Sequence, residues 1–210
     1  MKSRTAALFL LLIIALNAAI HLPLPVYARG IAAYLLYVPV IGYLLTVAAG
    51  LHRQSPWPEQ AIIAVGAGYS VSILVTLALV YLPGGLQPWQ TLAAFDALAV
   101  LLLLLSLRQS SAEQTGKDET RSADGIPWLL IGAAALIAVA GFLRLPGLDY
   151  AEFQDDEVSV IWHSAEAIQG RADALFIHDK GPAEILLTTA VYSSVDRLNE
   201  AAARFPFAIA

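Results

Sequence analysis

The chain has 210 residues, of which 58% are hydrophobic and 14% charged, with a formal net charge of −5. An ordinary soluble domain is about half apolar and a quarter charged, so this composition belongs to a polytopic membrane protein. The absence of cysteine removes disulfides, thiolate metal sites and cysteine catalysis, and the acidic balance removes a basic nucleic-acid face.

A membrane span needs about 20 mostly apolar residues. Five runs qualify: Thr5–Ile20, Gly30–Leu51, Gln60–Leu82, Trp89–Leu107 and Pro127–Leu145. Helix breakers separate them: Pro23 and Pro25, Pro56 and Pro58, then Pro83-Gly84-Gly85 with Pro88, and last the polar stretch from Arg108 to Gly125. A sixth, short run covers Pro182–Val195, and a seventh begins near Ala201. The expected fold is all-α, a polytopic transmembrane helical protein. Three parts are expected: a four-span unit over 1–107, a cytoplasmic linker over 108–126 and a further membrane module over 127–210.

Positive charge sets the orientation. With the N-terminus cytoplasmic, the inner loops hold Lys2, Arg4, Arg53, Arg108, Lys117 and Arg121, whereas the outer loops of the first four spans hold only Arg29. This places the chain in a plasma or inner membrane with the Pro146–Gly181 loop external or periplasmic. The first run also reads as a cleavable signal peptide, with Lys2 and Arg4 before an apolar stretch and Val26-Tyr27-Ala28 before Arg29. Either way the next span enters from outside.

Asp96 stands alone within the fourth run. A charged side chain at mid-bilayer costs roughly 3 kcal/mol on insertion scales, so it marks a site or a bridge. A protonated or helix-bridging Asp96 and a transport site are both open readings.

Eleven of the 17 acids lie from Asp149 onward. Among them Asp155-Asp156-Glu157 opens an amphipathic helix: Val158, Ile161, Trp162, Ala165 and Ile168 form one apolar stripe, and Gly170 stops it. Such a helix lies along a membrane interface. Acids at a helix N-terminus are worth about 0.3–1 kcal/mol against the helix dipole. Alternatively, desolvation beside a bilayer tunes one of the three as a base. His178-Asp179-Lys180-Gly181-Pro182 returns the chain to the membrane, with Pro182 at a first helical position and Glu184 in the same turn. Lys180 sits where it either anchors the helix end or meets a phosphate as a point charge. Arg204, in Ala203-Arg204-Phe205-Pro206, is an anchor or a ligand contact. His21, His52 and His163 are scattered singly, which gives no zinc-type centre, and no phosphate-binding loop, dinucleotide fingerprint or nucleophile elbow occurs.

The order of Phe153-Gln154-Asp155-Asp156-Glu157, His178-Asp179-Lys180-Gly181-Pro182 and Ala203-Arg204-Phe205-Pro206 around membrane runs resembles the start of GT-C glycosyltransferases. The likeness is to the dolichyl-phosphate-mannose protein mannosyltransferase-like group, which includes the lipid A aminoarabinose transferases, and it covers roughly residues 128–210. The resemblance implies inverting sugar transfer from a polyprenyl-phosphate-linked donor to a lipid, glycan or protein acceptor on the external membrane face. It gives Asp156 the role of base with Glu157 as partner, and makes Lys180 the contact to the donor phosphate. Asp155 precedes the pair, which leaves the base ambiguous by one residue, and His178 and Arg204 join Lys180 as substrate-side candidates. Where the family commonly has two prolines after the lysine, this chain has Gly181-Pro182-Ala183. The 127–210 part is thus expected to be the start of a catalytic module, and the chain an N-terminal piece or half of a split protein. Membrane lipids are expected partners and nucleic acid is not. No cofactor is expected, and a divalent cation has no support in the sequence. The competing expectation is a non-catalytic membrane protein, transporter-like or a scaffold subunit.

Overall fold

A computed structural model of the chain describes residues 3–51, 56–112, 139, 155–177, 181–195 and 204. Helix α1 covers Ser3–His21, and α2 covers Val26–Leu35. A wide turn of π-helix over Leu36–Val40 leads to α3 at Ile41–Ala48. Next come α4 at Trp57–Val80, α5 at Pro88–Ala112, α6 at Asp155–Ile168 and α7 at Pro182–Ser193. No strand occurs among the described residues.

Among the described residues, four helical stretches are long and apolar enough to cross a membrane: Arg4–His21, Val26–Ala48, Trp57–Val80 and Pro88–Arg108. They coincide with the first four runs expected from the sequence. Their outer faces are apolar as well, with Leu8 66% and Ile62 74% exposed. A helix that is greasy all round is matched to lipid rather than water. The expected fifth run lies outside the described residues apart from Val139, as do most of the linker and the start of the seventh run apart from Arg204.

Small residues let these helices approach closely. A Cβ placed on Gly42 would fall 1.7 Å from the Ala64 carbonyl oxygen, and one on Gly68 1.9 Å from that of Val38. Backbone therefore meets backbone where α2–α3 crosses α4, the mode of packing that lipid favours because it offers no hydrophobic drive between helices. Pro39 interrupts the second span, and the wide turn absorbs it. The Ser72 hydroxyl on α4 lies 2.7 Å from the Tyr37 carbonyl in that turn, a side-chain bond where the helical ladder is perturbed.

Helix α1 docks on this unit through Ile13 and Ile20, through Phe9 stacked on Tyr43 at 4.9 Å, through Arg29 Nε donating to the Ile20 carbonyl at 2.6 Å, and through a bond to Asp96. In the Asp96 bond Asn17 Nδ2 donates to Asp96 Oδ1 at 2.8 Å. Of the open readings of Asp96, the structure displays the helix-bridging geometry, joining α1 to α5.

The short sixth run is helical as expected, and its described helix is shorter than a span. At 12 residues, α7 is roughly 18 Å long, well under the hydrocarbon thickness of about 30 Å. Ile185 and Leu186, near its start, pack with Val80 and Leu86 at the α4–α5 turn. Near its end, Ser193 hydrogen-bonds Thr91 in the first turn of α5 at 2.8 Å, and Val191 lies beside Gly30 at the start of α2. The start of α7 thus meets the α4–α5 turn, while at its other end Ser194 reaches Tyr37 in the wide turn of the second span. Leu187, Ala190, Val191 and Tyr192 share one apolar core with residues of α1, α2, α3 and α5. Residues on the two sides of the 108–126 stretch therefore belong to a common core.

Candidate functional site

Helix α6 lies on the end of the bundle that holds the α4–α5 turn. Its C-terminus closes as a Schellman motif: Gly170 N–H donates to Ala167 O at 3.0 Å, and Arg171 N–H to Glu166 O at 3.0 Å. Gly170 has φ 91° and Gly85 φ 80°, and their backbones touch. A Cβ on Gly85 would sit 2.8 Å from the Ile168 carbonyl oxygen, the same oxygen that accepts the Leu86 N–H at 2.7 Å. The acidic-helix segment and the Pro83–Pro88 turn, which the charge rule assigns to one side of the membrane, share one end of the bundle.

The face of α6 turned to the protein is Val160, Ser164 and Ala167, all buried. That is rotated from the expected apolar stripe: Ile161 and Ile168 are partly covered, while Val158 and Trp162 point outward, Trp162 61% exposed. The reason is crowding against α7. Small Ser164 and Ala167 permit the close approach, and Ser164 Oγ donates to the Ile185 carbonyl at 3.3 Å. The bulky pair, one turn apart, is left for the surroundings.

The two helices run antiparallel. Two turns from the Ser164–Ile185 contact, toward the start of α6 and the end of α7, Glu157 comes level with Tyr192. The Glu157 charge accordingly acts on the Tyr192 hydroxyl through space. At the opposite end of the pair stands Gly181, with φ 89°, just ahead of Pro182. The acidic start of α6 and the turn into α7 are thus held at opposite ends of one hairpin, about 16–20 Å apart by helical rise.

Arg204 meets the acidic end. Its Nε lies 3.2 Å and 3.1 Å from Glu157 Oε1 and Oε2, and its Nη2 3.0 Å from Oε2. This is a forked guanidinium–carboxylate pair, the strongest geometry for two such groups. The Arg204 side chain is 12% exposed and that of Glu157 34%, so the pair is partly withdrawn from water. Arg204 thereby fixes the first turn of α6, in which the backbones of Asp155 and Asp156 are also helical. The side chains of Asp155 and Asp156, and all of His178 and Lys180, lie outside the described residues.

A second ionic group occupies the far end of α6. Glu166 accepts from Arg171 Nη2 at 2.8 Å and faces His163 Nδ1 at 3.4 Å. This group stitches the Schellman turn to its own helix. Among the described residues, no group of three or more His, Asp or Glu side chains is placed to hold a metal ion.

Sequence reasoning singled out Glu157 and Arg204 separately and not as a pair. It passed over Tyr192, whose hydroxyl is buried without a hydrogen-bond partner among the described residues. The signal was present in Thr188-Thr189-Ala190-Val191-Tyr192-Ser193-Ser194, where hydroxyls crowd an otherwise apolar helix. No protein-family model matches this chain, and no curated protein or solved structure matches it either.

Proposed function

We infer that this chain forms part of a membrane glycosyltransferase that moves a sugar from a polyprenyl-phosphate carrier to an acceptor hydroxyl at the membrane surface. The observation that carries the reading is the fork between Arg204 and Glu157. It brings together two of the three motif segments that resemble the GT-C group, although 47 residues separate them in sequence. An ion pair so placed holds the helix start that carries Asp156.

In this reading the acceptor O–H gives its proton to the Asp156 carboxylate as its oxygen attacks the anomeric carbon. The bond from that carbon to the phosphate oxygen breaks, its electron pair leaves with the phosphate, and the configuration inverts. Lys180 offsets the charge that grows on the departing polyprenyl phosphate. His178 is a further contact on the donor side. The site faces the cell exterior or periplasm, following the inside-positive distribution of Lys and Arg.

The test is photoaffinity labelling with a diazirine-bearing polyprenyl-phosphate-linked sugar in proteoliposomes. Label on peptides from 155–195 supports the transferase. The transporter-like alternative draws on the Asn17–Asp96 bridge, and label confined to α1 and α5 would favour it instead.

A further inference from the structure

The turn between α4 and α5 has two glycines at positive φ, Gly84 at 97° and Gly85 at 80°, and they differ in what surrounds them. A Cβ on Gly84 would meet nothing within 4 Å. One on Gly85 would fall 2.8 Å from the Ile168 carbonyl oxygen and 3.2 Å from the Gln169 carbonyl carbon. From the other side, a Cβ on Gly170 would come 3.1 Å from Gly85 N. The Leu86 N–H donates to Ile168 O at 2.7 Å, which ties the last carbonyl of α6 to the turn. Around this contact Val80, Leu86, Ala167, Leu175, Ile185 and Leu186 form a small core of their own. Backbone pressed on backbone leaves neither side room to slide.

Helix α6 is held by the turn at Ile168, by Ser164 on the Ile185 carbonyl at 3.3 Å, and by Arg204 on Glu157 at its start. We propose that Gly85 is a positioning residue for the acidic turn: through its contact with Ile168 and Gly170, the four-span unit sets where the backbone of Asp156 stands. The inference rests on the sugar-transfer reading and gives the first four spans a part in it. The helix acts as a lever. With the Ser164 contact as pivot, Ile168 lies about 6 Å away on one side and Asp156 about 12 Å away on the other by helical rise. A methyl on Gly85 pushes the Ile168 carbonyl from 2.8 Å toward ordinary contact at 3.4 Å. The longer arm turns that into a displacement of about 1 Å at Asp156. A misplacement of about 1 Å costs up to about 10²-fold in rate. The Arg204 fork resists the swing, which leaves an expected loss of about tenfold or more.

The experiment compares the full native chain with Gly84→Ala and Gly85→Ala in nanodiscs. It reads hydrogen exchange at the Leu86 amide, and the kcat and KM of transfer from a polyprenyl-phosphate-linked sugar. Both changes place a side chain at positive φ and strain the turn alike, so their difference isolates the contact with α6. In Gly85→Ala the Leu86 amide exchanges about tenfold faster or more. Its kcat falls about tenfold or more while KM stays level, the mark of a misplaced group rather than weaker binding. Gly84→Ala stays near the native values in both readouts. Equal effects of the two changes overturn the proposal. So does a Leu86 amide that exchanges in the native protein at the rate of an open turn, a measurement that needs no variant and serves if Gly85→Ala fails to fold. If exchange separates the variants as expected but the native protein consumes no polyprenyl-phosphate-linked sugar, the contact stands and the transferase reading falls. If the native protein transfers sugar and Gly85→Ala keeps its kcat, the positioning role alone falls.

Discussion

Arg204 grips Glu157 with two nitrogens, Nε at 3.1 Å and Nη2 at 3.0 Å from the same Oε2, with Nε also 3.2 Å from Oε1. That contact turns two separate motif fragments into one corner, and its strength is measurable. Arg204→Met leaves the Glu157 carboxylate partly buried without its fork and destabilises the fold by about 1–3 kcal/mol. Glu157→Gln combined with Arg204→Met costs less than the two single changes added together, because each single change already breaks the pair. Denaturant titration of the four proteins in one detergent reads the coupling.

The close crossing of α2–α3 on α4 makes its own prediction. Gly68→Ala forces a Cβ to 1.9 Å from the Val38 carbonyl oxygen, whereas a Cβ at Gly66 meets nothing within 4 Å. Gly68→Ala is expected to cost about 3 kcal/mol or more through overpacking. Gly66→Ala gains up to about 1 kcal/mol from helix propensity. Unfolding of the two variants side by side checks the contrast.

The Asn17–Asp96 bond is structural in this account. Asp96→Asn retains a hydrogen-bonding partner for Asn17, so its unfolding curve moves little. Asp96→Leu loses the bridge at a cost of about 0.6–1.7 kcal/mol, the range for polar pairs between membrane helices. Neither change is expected to abolish sugar transfer. Loss of an ion flux in Asp96→Asn liposomes would move the function to α1 and α5.

Trp162 reports where α6 sits. Its ring is largely exposed on a helix packed at the end of a bundle with four candidate spans. Tryptophan in that position is placed for the headgroup level. In a variant with Trp57, Trp89 and Trp128 replaced by Phe, Trp162 fluorescence is expected to be quenched by lipids brominated near the headgroup more than by lipids brominated near the chain end. The reverse order would place the helix deep in the bilayer, and no quenching would place it in water.

Much of this architecture is legible in the sequence because the bilayer imposes a length and prolines mark the breaks. The four described spans begin and end within a few residues of the apolar runs, and Pro182, Glu184 and Gly170 stand at the helix ends that their chemistry selects. What was hidden belongs to contacts between distant segments. A fork from Arg204 to Glu157 leaves no periodic trace, so from sequence Arg204 reads first as an anchor. The rotation of α6 depends on where α7 lies, and the apolar stripe alone marks Trp162 as readily for protein as for lipid. The position of α7 follows from Thr91, Leu86 and Gly30, residues a hundred or more positions away whose roles appear only once the helices are packed. Tyr192 was masked by its neighbours: in an apolar run, a tyrosine counts as core until its hydroxyl is found without a partner.

The central claim is that the Glu157–Arg204 corner presents a catalytic carboxylate for sugar transfer. The most direct measurement is the rate of polyprenyl-phosphate release from a polyprenyl-phosphate-linked sugar in proteoliposomes, comparing the native protein with Asp156→Asn, Asp155→Asn and Asp96→Asn. Loss of a positioned base lowers a rate by about 10²–10⁴-fold. The account predicts a fall of that size in Asp156→Asn, with Asp96→Asn near the native rate. If Asp155→Asn falls instead, the base shifts by one residue within the same corner. Equal rates in all four proteins, or no release by the native protein with any carrier-linked sugar, would contradict the claim.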